Sequence, residues 1–189
     1  MKYVLTILFA LITNIAFAIT PPDYSVRVFV FEDGGTKSLG SGVLIASNRV
    51  ITNHHVVSDR KSDSDVKIMF SDWTVVDAKV LRTNKALDIA LIEIPEQTIK
   101  PIQLGVVALP EDKVTTHGFG YGAPTTHKGV IVKQNIAIIG IKGAKVISGD
   151  SGGPIVNERG KLVGLVFGVD KEMAYGCSLA CILIFLENE

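Results

Sequence analysis

Short apolar runs, separated by turn-forming residues, dominate the chain after residue 25. Most runs are too short for helices and are rich in valine and isoleucine, which favours strands. Glycine, asparagine and aspartate separate them, as at 33–35, 47–48 and 157–160. The predicted strands are 26–31, 42–45, 50–52, 66–70, 75–81, 89–94, 113–118, 129–133, 136–141, 155–156 and 162–169, with a last short helix at 182–187. This pattern predicts an all-β protein, built as a sandwich or as paired barrels.

The first 18 residues have the pattern of a secretory signal peptide. Lys2 supplies the positive charge, 4–12 is nearly all apolar, and Ala16 and Ala18 are the small residues of a cleavage site. The apolar run is too short for a comfortable membrane span. We therefore expect cleavage after Ala18, a secreted or periplasmic protein that starts at Ile19, and no membrane partner after cleavage.

Charge and composition restrict the classes of partner. The full chain has 19 basic and 19 acidic residues, and removal of the leader with Lys2 leaves 18 basic residues against 19 acidic ones. The chain has no basic tract and no patch of interleaved basic and aromatic residues, so a nucleic-acid partner is not expected. The length suits one or two small domains that share a compact body.

The two cysteines, Cys177 and Cys181, leave their pairing open. An even number of cysteines in an exported protein suggests a disulfide. In an extended strand these two residues are too far apart to be bridged, so a disulfide between them requires a turn or loop. No histidine flanks the pair, and a metal site there is not expected.

Ser151 lies in the stretch Gly-Asp-Ser-Gly-Gly-Pro at 149–154. Flanking glycines let a reacting carbonyl group approach the serine, and they allow unusual backbone dihedral angles. A serine hydroxyl becomes a nucleophile when a base accepts its proton and a third group orients that base. The candidate bases are His54 and His55. The candidate orienting group is Asp88, because an ionised aspartate before a buried strand needs a polar partner.

The order of these residues along the chain excludes one class of hydrolase. Gly-x-Ser-x-Gly also matches the nucleophile turn of α/β-hydrolases, in which the histidine follows the serine. All four histidines of this chain, at 54, 55, 117 and 127, precede Ser151. The α/β-hydrolase interpretation therefore fails.

Taken together, these motifs resemble those of a trypsin-like serine protease of the chymotrypsin fold. The matching segments are GSGVLI at 40–45, VITNHHV at 50–56, DIAL at 88–91 and GDSGGP at 149–154. The sequences of these motifs are closest to those of the bacterial high-temperature-requirement and glutamyl endopeptidase branches. The resemblance covers essentially the whole mature chain, although the loops are shorter than in digestive enzymes. It implies two six-stranded antiparallel Greek-key β-barrels, at 19–98 and 99–189, with the active site in the cleft between them and a crossover at 95–104.

The resemblance also implies catalytic roles. The pattern Thr-x-x-His selects His55 as the base, and His54 would then face elsewhere, because adjacent side chains cannot both face the serine. Asp88 would orient His55, and Ser151 would attack the substrate. The backbone N–H groups of Gly149 and Ser151 would form the oxyanion hole. The mechanism requires no cofactor.

Asp150 matches the residue that pairs with a freshly cut N-terminus in the chymotrypsin branch. Here Thr20-Pro21-Pro22 follows Ile19, unlike the glycine-rich activation sequence of that branch. We therefore expect Asp150 to be a structural support that makes local hydrogen bonds, without a zymogen step.

The expected specificity pocket departs from that of trypsin. Lys145 stands six residues before the nucleophile, where a cation would repel basic substrate side chains. Val146 and Val169 replace small residues and should narrow a pocket that Phe167 and Gly168 also line. We expect cleavage after small apolar residues. If the Lys145 ammonium points into the pocket, cleavage after glutamate or aspartate is the alternative. A third possibility is that the Lys145 side chain extends to solvent and does not act in the pocket.

The predicted function is that of a secreted serine endopeptidase, monomeric, acting on protein or peptide substrates. The alternative is a non-enzymatic or partner-activated binding module on the protease fold. Family members of that kind usually lose a triad residue, and none is lost here. A separate regulatory partner remains open.

Overall fold

The computed structural model describes residues 21–32, 35–63 and 65–187. In this part of the chain, twelve strands close into two barrels of six strands each. The all-β class and the paired antiparallel barrels are therefore confirmed. The predicted signal peptide and its cleavage after Ala18 lie outside the described residues.

Barrel one forms because alternate residues of its strands are apolar. In the first strand, Val26, Val28 and Val30 are fully buried, whereas Arg27 and Phe29 lie on the outer face and are partly exposed. The strands pair in the order β1-β2-β3-β6-β5-β4, with β1 closing on β4. They are β1 Ser25–Glu32, β2 Gly35–Ala46, β3 Arg49–Thr52, β4 Val66–Met69, β5 Val75–Asn84 and β6 Ile89–Glu93, and helix α1 His54–Val57 follows β3.

Barrel two repeats this strand order, with β7-β8-β9 continued by β12-β11-β10. Its strands are β7 Lys113–Gly118, β8 Thr125–Gln134, β9 Ile138–Lys142, β10 Pro154–Asn157, β11 Leu162–Asp170 and β12 Met173–Ser178. A 3-10 turn, Gly120–Gly122, follows β7, and helix α2 Leu179–Glu187 follows β12. The proposed domain boundary between 98 and 99 falls in the segment between β6 and β7. Within the described residues, no helix is long and apolar enough to cross a membrane.

One apolar cluster joins the two barrels. It contains Ile51 and Leu91 from barrel one, Leu165 from barrel two, and Phe185 from α2. The Arg82 side chain of β5 donates to the Phe185 carbonyl oxygen at 2.6 Å, and its guanidinium lies 4.2 Å from the centre of the Phe185 ring. Helix α2 thus packs against barrel one. This shared cluster fixes the loops of one barrel relative to those of the other.

Cys177 and Cys181 are free thiols, so the disulfide that their even number suggested is not formed. Cys177 lies near the end of β12, whereas Cys181 lies in the first turn of α2, where its N–H donates to Ser178 Oγ at 3.3 Å. Each side chain packs into the shared cluster from a different element. Burial raises the pKa of the Cys177 thiol to about 12 and also raises that of Cys181.

Candidate active site

His55 and Asp88 come together at the edge of barrel one. The His55 Nδ1 atom lies 2.8 Å from Asp88 Oδ2, and the His55 backbone N–H donates to Asp88 Oδ1 at 3.0 Å. An ionised carboxylate only accepts hydrogen bonds, so it selects the tautomer that carries its proton on Nδ1. The Nε2 atom of His55 is then free to accept a proton.

A tight turn places Asp88 beside the helix that carries His55. The turn spans 85–88 and precedes β6, and Asp88 has φ of 54°, a left-handed conformation that aspartate tolerates better than most residues. The buried Asn53 side chain donates to the Asp88 carbonyl oxygen at 2.9 Å. Because Asn53 immediately precedes α1, this bond joins the turn to the start of the helix. Within the described residues, His54 makes no hydrogen bond to Asp88, and its buried Nδ1 atom has no hydrogen-bond partner.

Ser151 lies in the sharp turn that leads into β10. Its carbonyl oxygen accepts from Ser41 N–H at 2.7 Å, and the Gly152 N–H donates to the Val166 carbonyl oxygen at 2.8 Å. Gly152 has φ of +85°, and a Cβ there would lie 2.1 Å from the Ser41 carbonyl oxygen, so only glycine fits. The turn is thereby held by both barrels, since Ser41 belongs to β2.

The Ser151 hydroxyl points at barrel two in this structure. Its Oγ lies 3.5 Å from the carbonyl oxygen of Phe167, which occupies a β-bulge in β11. No hydrogen bond joins Ser151 and His55, and such bonds are often long in unliganded sites and tighten when substrate binds. A Cβ at Gly40 would contact both Val56, which follows His55, and the Ser151 carbonyl oxygen, so the two segments converge there.

The 148–149 and 150–151 peptide planes, which carry the Gly149 and Ser151 N–H groups, are fixed through their carbonyl groups. The Ser148 carbonyl oxygen accepts from Tyr121 N–H at 2.7 Å, and the Asp150 carbonyl oxygen accepts from Gly153 N–H at 2.9 Å. In a trans peptide the C=O and N–H groups point in opposite directions. These two bonds therefore fix the directions of the Gly149 and Ser151 N–H groups, which have no acceptor within the described residues.

Ser41 fixes a third peptide of the same loop. Its hydroxyl donates to the Gly149 carbonyl oxygen at 2.7 Å and accepts from the Phe119 N–H at 2.8 Å. Gly149 has φ of +99°, and a Cβ there would lie 2.6 Å from the Phe119 carbonyl oxygen. These contacts fix the loop that carries the two N–H groups expected to bind an oxyanion.

The Asp150 carboxylate is buried on barrel two, with 1 % of the residue exposed. Its Oδ2 accepts from Ile147 N–H at 2.9 Å and lies 3.3 Å from His127 Nε2. Its Oδ1 accepts from the Thr125 hydroxyl. The hydrogen bonds seen here come from within the same barrel.

Only some of the expected pocket residues lie together. Lys145, Val146 and Val169 line one cleft of about 430 Å³, together with Lys142, Gly143, Ala144, Ile147, Lys171 and Glu172. Phe167 and Gly168 are not among its lining residues; the Phe167 ring stacks on Tyr175 with centroids 6.4 Å apart. Val146 packs into the core of barrel two, whereas Val169 is half exposed.

Sequence reasoning missed the residues that hold the loop at 149–153. Ser41 lies in the matched Gly-Ser-Gly motif, but no role was assigned to it. Tyr121, Thr125 and His127 carry no local signal, because their partners lie more than twenty residues further along the chain. His117 is also off the site: its Nδ1 atom lies 3.0 Å from Thr126 Oγ1, and burial lowers its pKa. No group of three or more metal-ligating side chains occurs in the described part of the chain.

The fold agrees with comparisons to known proteins. Residues 40–165 match the model of the trypsin-like peptidase domain, and the chain belongs to that family. Two solved structures share its fold. The serine endoprotease from Yersinia pestis has a TM-score of 0.81 at 21% identity over 89% of this chain and 63% of that one. The active form of the Rv3671c protease from M. tuberculosis has a TM-score of 0.78 at 24% identity over 89% and 81%.

Curated relatives include proteases of plants and bacteria. Protease Do-like 2, chloroplastic, from Arabidopsis thaliana is 30% identical over 79% of this chain and 26% of its own length. The periplasmic serine endoprotease DegP from Salmonella typhimurium is 31% identical over 68% of this chain and 29% of its own. A probable DegP-like periplasmic serine endoprotease from Pseudomonas putida is 29% identical over the same shares. The chain thus spans less than a third of the length of these relatives.

Proposed function

We propose that the protein is a serine endopeptidase that hydrolyses peptide bonds through His55, Asp88 and Ser151. The observation that carries this proposal is the double hydrogen bond from His55 to the Asp88 carboxylate, at 2.8 and 3.0 Å. It fixes both the position and the tautomer of the imidazole, which is what a general base beside a serine requires. The family match and the names of the relatives support the same reaction class.

In the proposed mechanism, the Ser151 hydroxyl rotates from the Phe167 carbonyl oxygen towards His55 Nε2. Its oxygen forms a bond to the substrate carbonyl carbon while the proton passes to Nε2. The oxyanion accepts from the Gly149 and Ser151 N–H groups, and Asp88 stabilises the imidazolium. The carbon–nitrogen bond then breaks as the amine takes the proton from His55. Water, activated by the same imidazole, hydrolyses the acyl-enzyme.

For specificity we propose cleavage after small apolar residues, supported by Val146 and Val169, which line the cleft that also contains Lys145. A second candidate is cleavage after glutamate or aspartate. It is favoured by three lysines, Lys142, Lys145 and Lys171, which line the same cleft against a single acidic residue, Glu172. Digestion of a peptide library distinguishes them. Preference for arginine or lysine would contradict both candidates, and Lys145→Ala should abolish only an acidic preference.

We further propose that the protein acts outside the cytoplasm as a monomer, after removal of residues 1–18. The signal-peptide pattern supports export, and the DegP relatives are named as periplasmic enzymes. Intact-mass analysis of the protein purified from its native host tests the cleavage. A mature chain that starts at Ile19 is expected, and a retained leader would contradict the proposal.

Labelling with a fluorophosphonate tests the catalytic proposal directly. We expect one covalent adduct on the wild-type protein by intact-mass analysis, because an activated serine attacks the phosphorus atom and displaces fluoride while the oxyanion hole binds the phosphoryl oxygen. Ser151→Ala is the matched control and should remain unlabelled. A folded wild-type protein without an adduct would contradict the proposed activity of the isolated chain and favour a partner-activated or non-enzymatic protein.

A further inference from the structure

The Asp150 side chain is an anchor between the two residues that supply the oxyanion donors. Asp150 lies between Gly149 and Ser151 in the chain, and its carboxylate is almost completely buried. Burial of an ionised carboxylate is costly unless hydrogen-bond donors surround it. Both oxygens are engaged here: Oδ1 by the Thr125 hydroxyl, and Oδ2 by the Ile147 N–H and the His127 ring.

Two of these donors come from one face of one strand. Thr125 and His127 are two residues apart on β8, so their side chains point to the same side. Gly118 pairs with Thr125 on the neighbouring strand β7, and a Cβ at Gly118 would lie 2.6 Å from Asp150 Oδ1. The absence of a side chain there allows the carboxylate to reach the strand pair. The loop with the oxyanion donors is thus attached to a rigid barrel wall.

We propose that His127 is a positioning residue for the catalytic reaction. By donating from Nε2 to Asp150 Oδ2 at 3.3 Å, it holds Asp150 against β8 and keeps the Gly149 and Ser151 N–H groups aimed at the oxyanion. The site then has a second histidine that acts on the reaction without touching the substrate. This inference rests on the proposed peptidase activity, since it concerns the rate of attack by Ser151.

The test measures the kinetics of fluorophosphonate labelling over a range of probe concentrations. His127→Phe keeps an aromatic ring and removes the donor, whereas His127→Gln keeps an N–H donor. We expect His127→Phe to lower the maximal labelling rate by about tenfold or more, with the half-saturating probe concentration within about twofold, because loss of an oxyanion donor acts on the transition state. His127→Gln should recover to within about threefold of the wild-type rate.

His117→Phe is the matched control. His117 lies on the adjacent strand, is partly buried, and its ring bonds to the Thr126 hydroxyl and makes no hydrogen bond to Asp150. Its substitution should leave the maximal labelling rate within about twofold of wild type. Urea unfolding of each variant establishes that the folded proteins are being compared. If His127→Phe does not fold, His127→Ala replaces it with the same expectations.

The outcomes separate the two proposals. A wild-type protein that is not labelled contradicts the proposed activity itself. A labelled wild type with an unchanged rate for folded His127→Phe overturns only the positioning role. Equal slowing by His127→Phe and His127→Gln, equal slowing by His117→Phe, or failure of all His127 variants to fold would each assign His127 to packing and overturn the inference.

Discussion

Exposure sets the chemistry of individual side chains in this protein. The His55 side chain is 46% exposed, so it is accessible from solvent. Cys177, by contrast, is 2% exposed among the apolar residues of the shared cluster. Desolvation disfavours the thiolate, which is the reactive form of cysteine. The cysteines are therefore packing residues, in spite of their location in a protein with an export signal pattern.

The first prediction concerns Cys177 and pH. Its pKa rises from 9.0 to about 12 on folding, so between these values the unfolded chain releases a proton that the folded protein retains. The stabilisation is present below pH 9.0 and falls as pH rises towards about 12, by up to about 1.4 kcal/mol per pH unit. Urea unfolding from pH 8 to 11 measures this slope. Cys177→Ala should show a flatter dependence, and an equal slope in both proteins would contradict the prediction.

At the scale of elements, three tight turns position the residues of the proposed active site, and the regular strands hold these turns. The 85–88 turn places Asp88, the Gly120–Gly122 turn holds the Ser148 carbonyl group, and the turn at Gly149–Gly153 presents Ser151. Asp88, Tyr121 and Gly152 all have positive φ. In Asp88 and Tyr121, which carry a Cβ, this conformation is strained, and such strain persists where surrounding contacts over-determine the conformation. The barrel walls and Ser41 supply those contacts.

The second prediction separates backbone conformation from available space. Gly152 and Gly160 both have positive φ, at +85° and +68°, but a Cβ at Gly152 would lie 2.1 Å from two oxygens, whereas nothing lies within 4 Å of one at Gly160. Gly152→Ala should cost about 3–5 kcal/mol of unfolding free energy, because strain and overpacking add. Gly160→Ala should cost only about 1–2 kcal/mol. Urea denaturation measures both costs. Equal costs would contradict the prediction that close packing around Gly152 adds to the cost of its substitution.

At the scale of the whole molecule, the proposed catalytic groups come from different barrels. Asp88 and His55 belong to barrel one, Ser151 belongs to barrel two, and Ser41 of β2 bonds to the loop of the other barrel. The site therefore forms only while the two barrels keep their relative position. The shared apolar cluster and the packing of α2 on β5 are the contacts that maintain this position.

The third prediction tests this packing with two neighbours in α2. Phe185 is 3% exposed, whereas Ile184 is 41% exposed. Phe185→Ala should lower the unfolding free energy by about 3–5 kcal/mol, because it opens a cavity in the shared cluster. Ile184→Ala should change it by about 1 kcal/mol or less. The backbone amides of β4 and β12 should lose their protection from hydrogen exchange together, at one urea concentration. Separate transitions for the two barrels would contradict a shared core.

Much of the fold was visible in the sequence, because strands leave a local record of alternating burial. The strands at 26–31, 50–52 and 113–118 were predicted within about a residue of β1, β3 and β7, whereas β8 begins at Thr125 instead of 129 and α2 begins at Leu179 instead of 182. Helix α1 was not predicted, since four residues are too few to show helical periodicity. The suggestion of a disulfide was wrong, because the spacing of two cysteines does not reveal that a strand ends and a helix begins between them.

The sequence by itself determined the all-β class, the order of the histidine, aspartate and serine motifs, and the glycines that the nucleophile turn requires. These features depend on periodicity, on residue chemistry and on backbone sterics, all of which act between near neighbours. Only the tertiary structure decided which partners hold the Asp150 carboxylate, how Tyr121 and Ser41 fix the 148–149 and 149–150 peptides, and that the cysteines remain thiols. Each of these depends on contacts between elements far apart in the chain, whose distances are set when two barrels close and pack together.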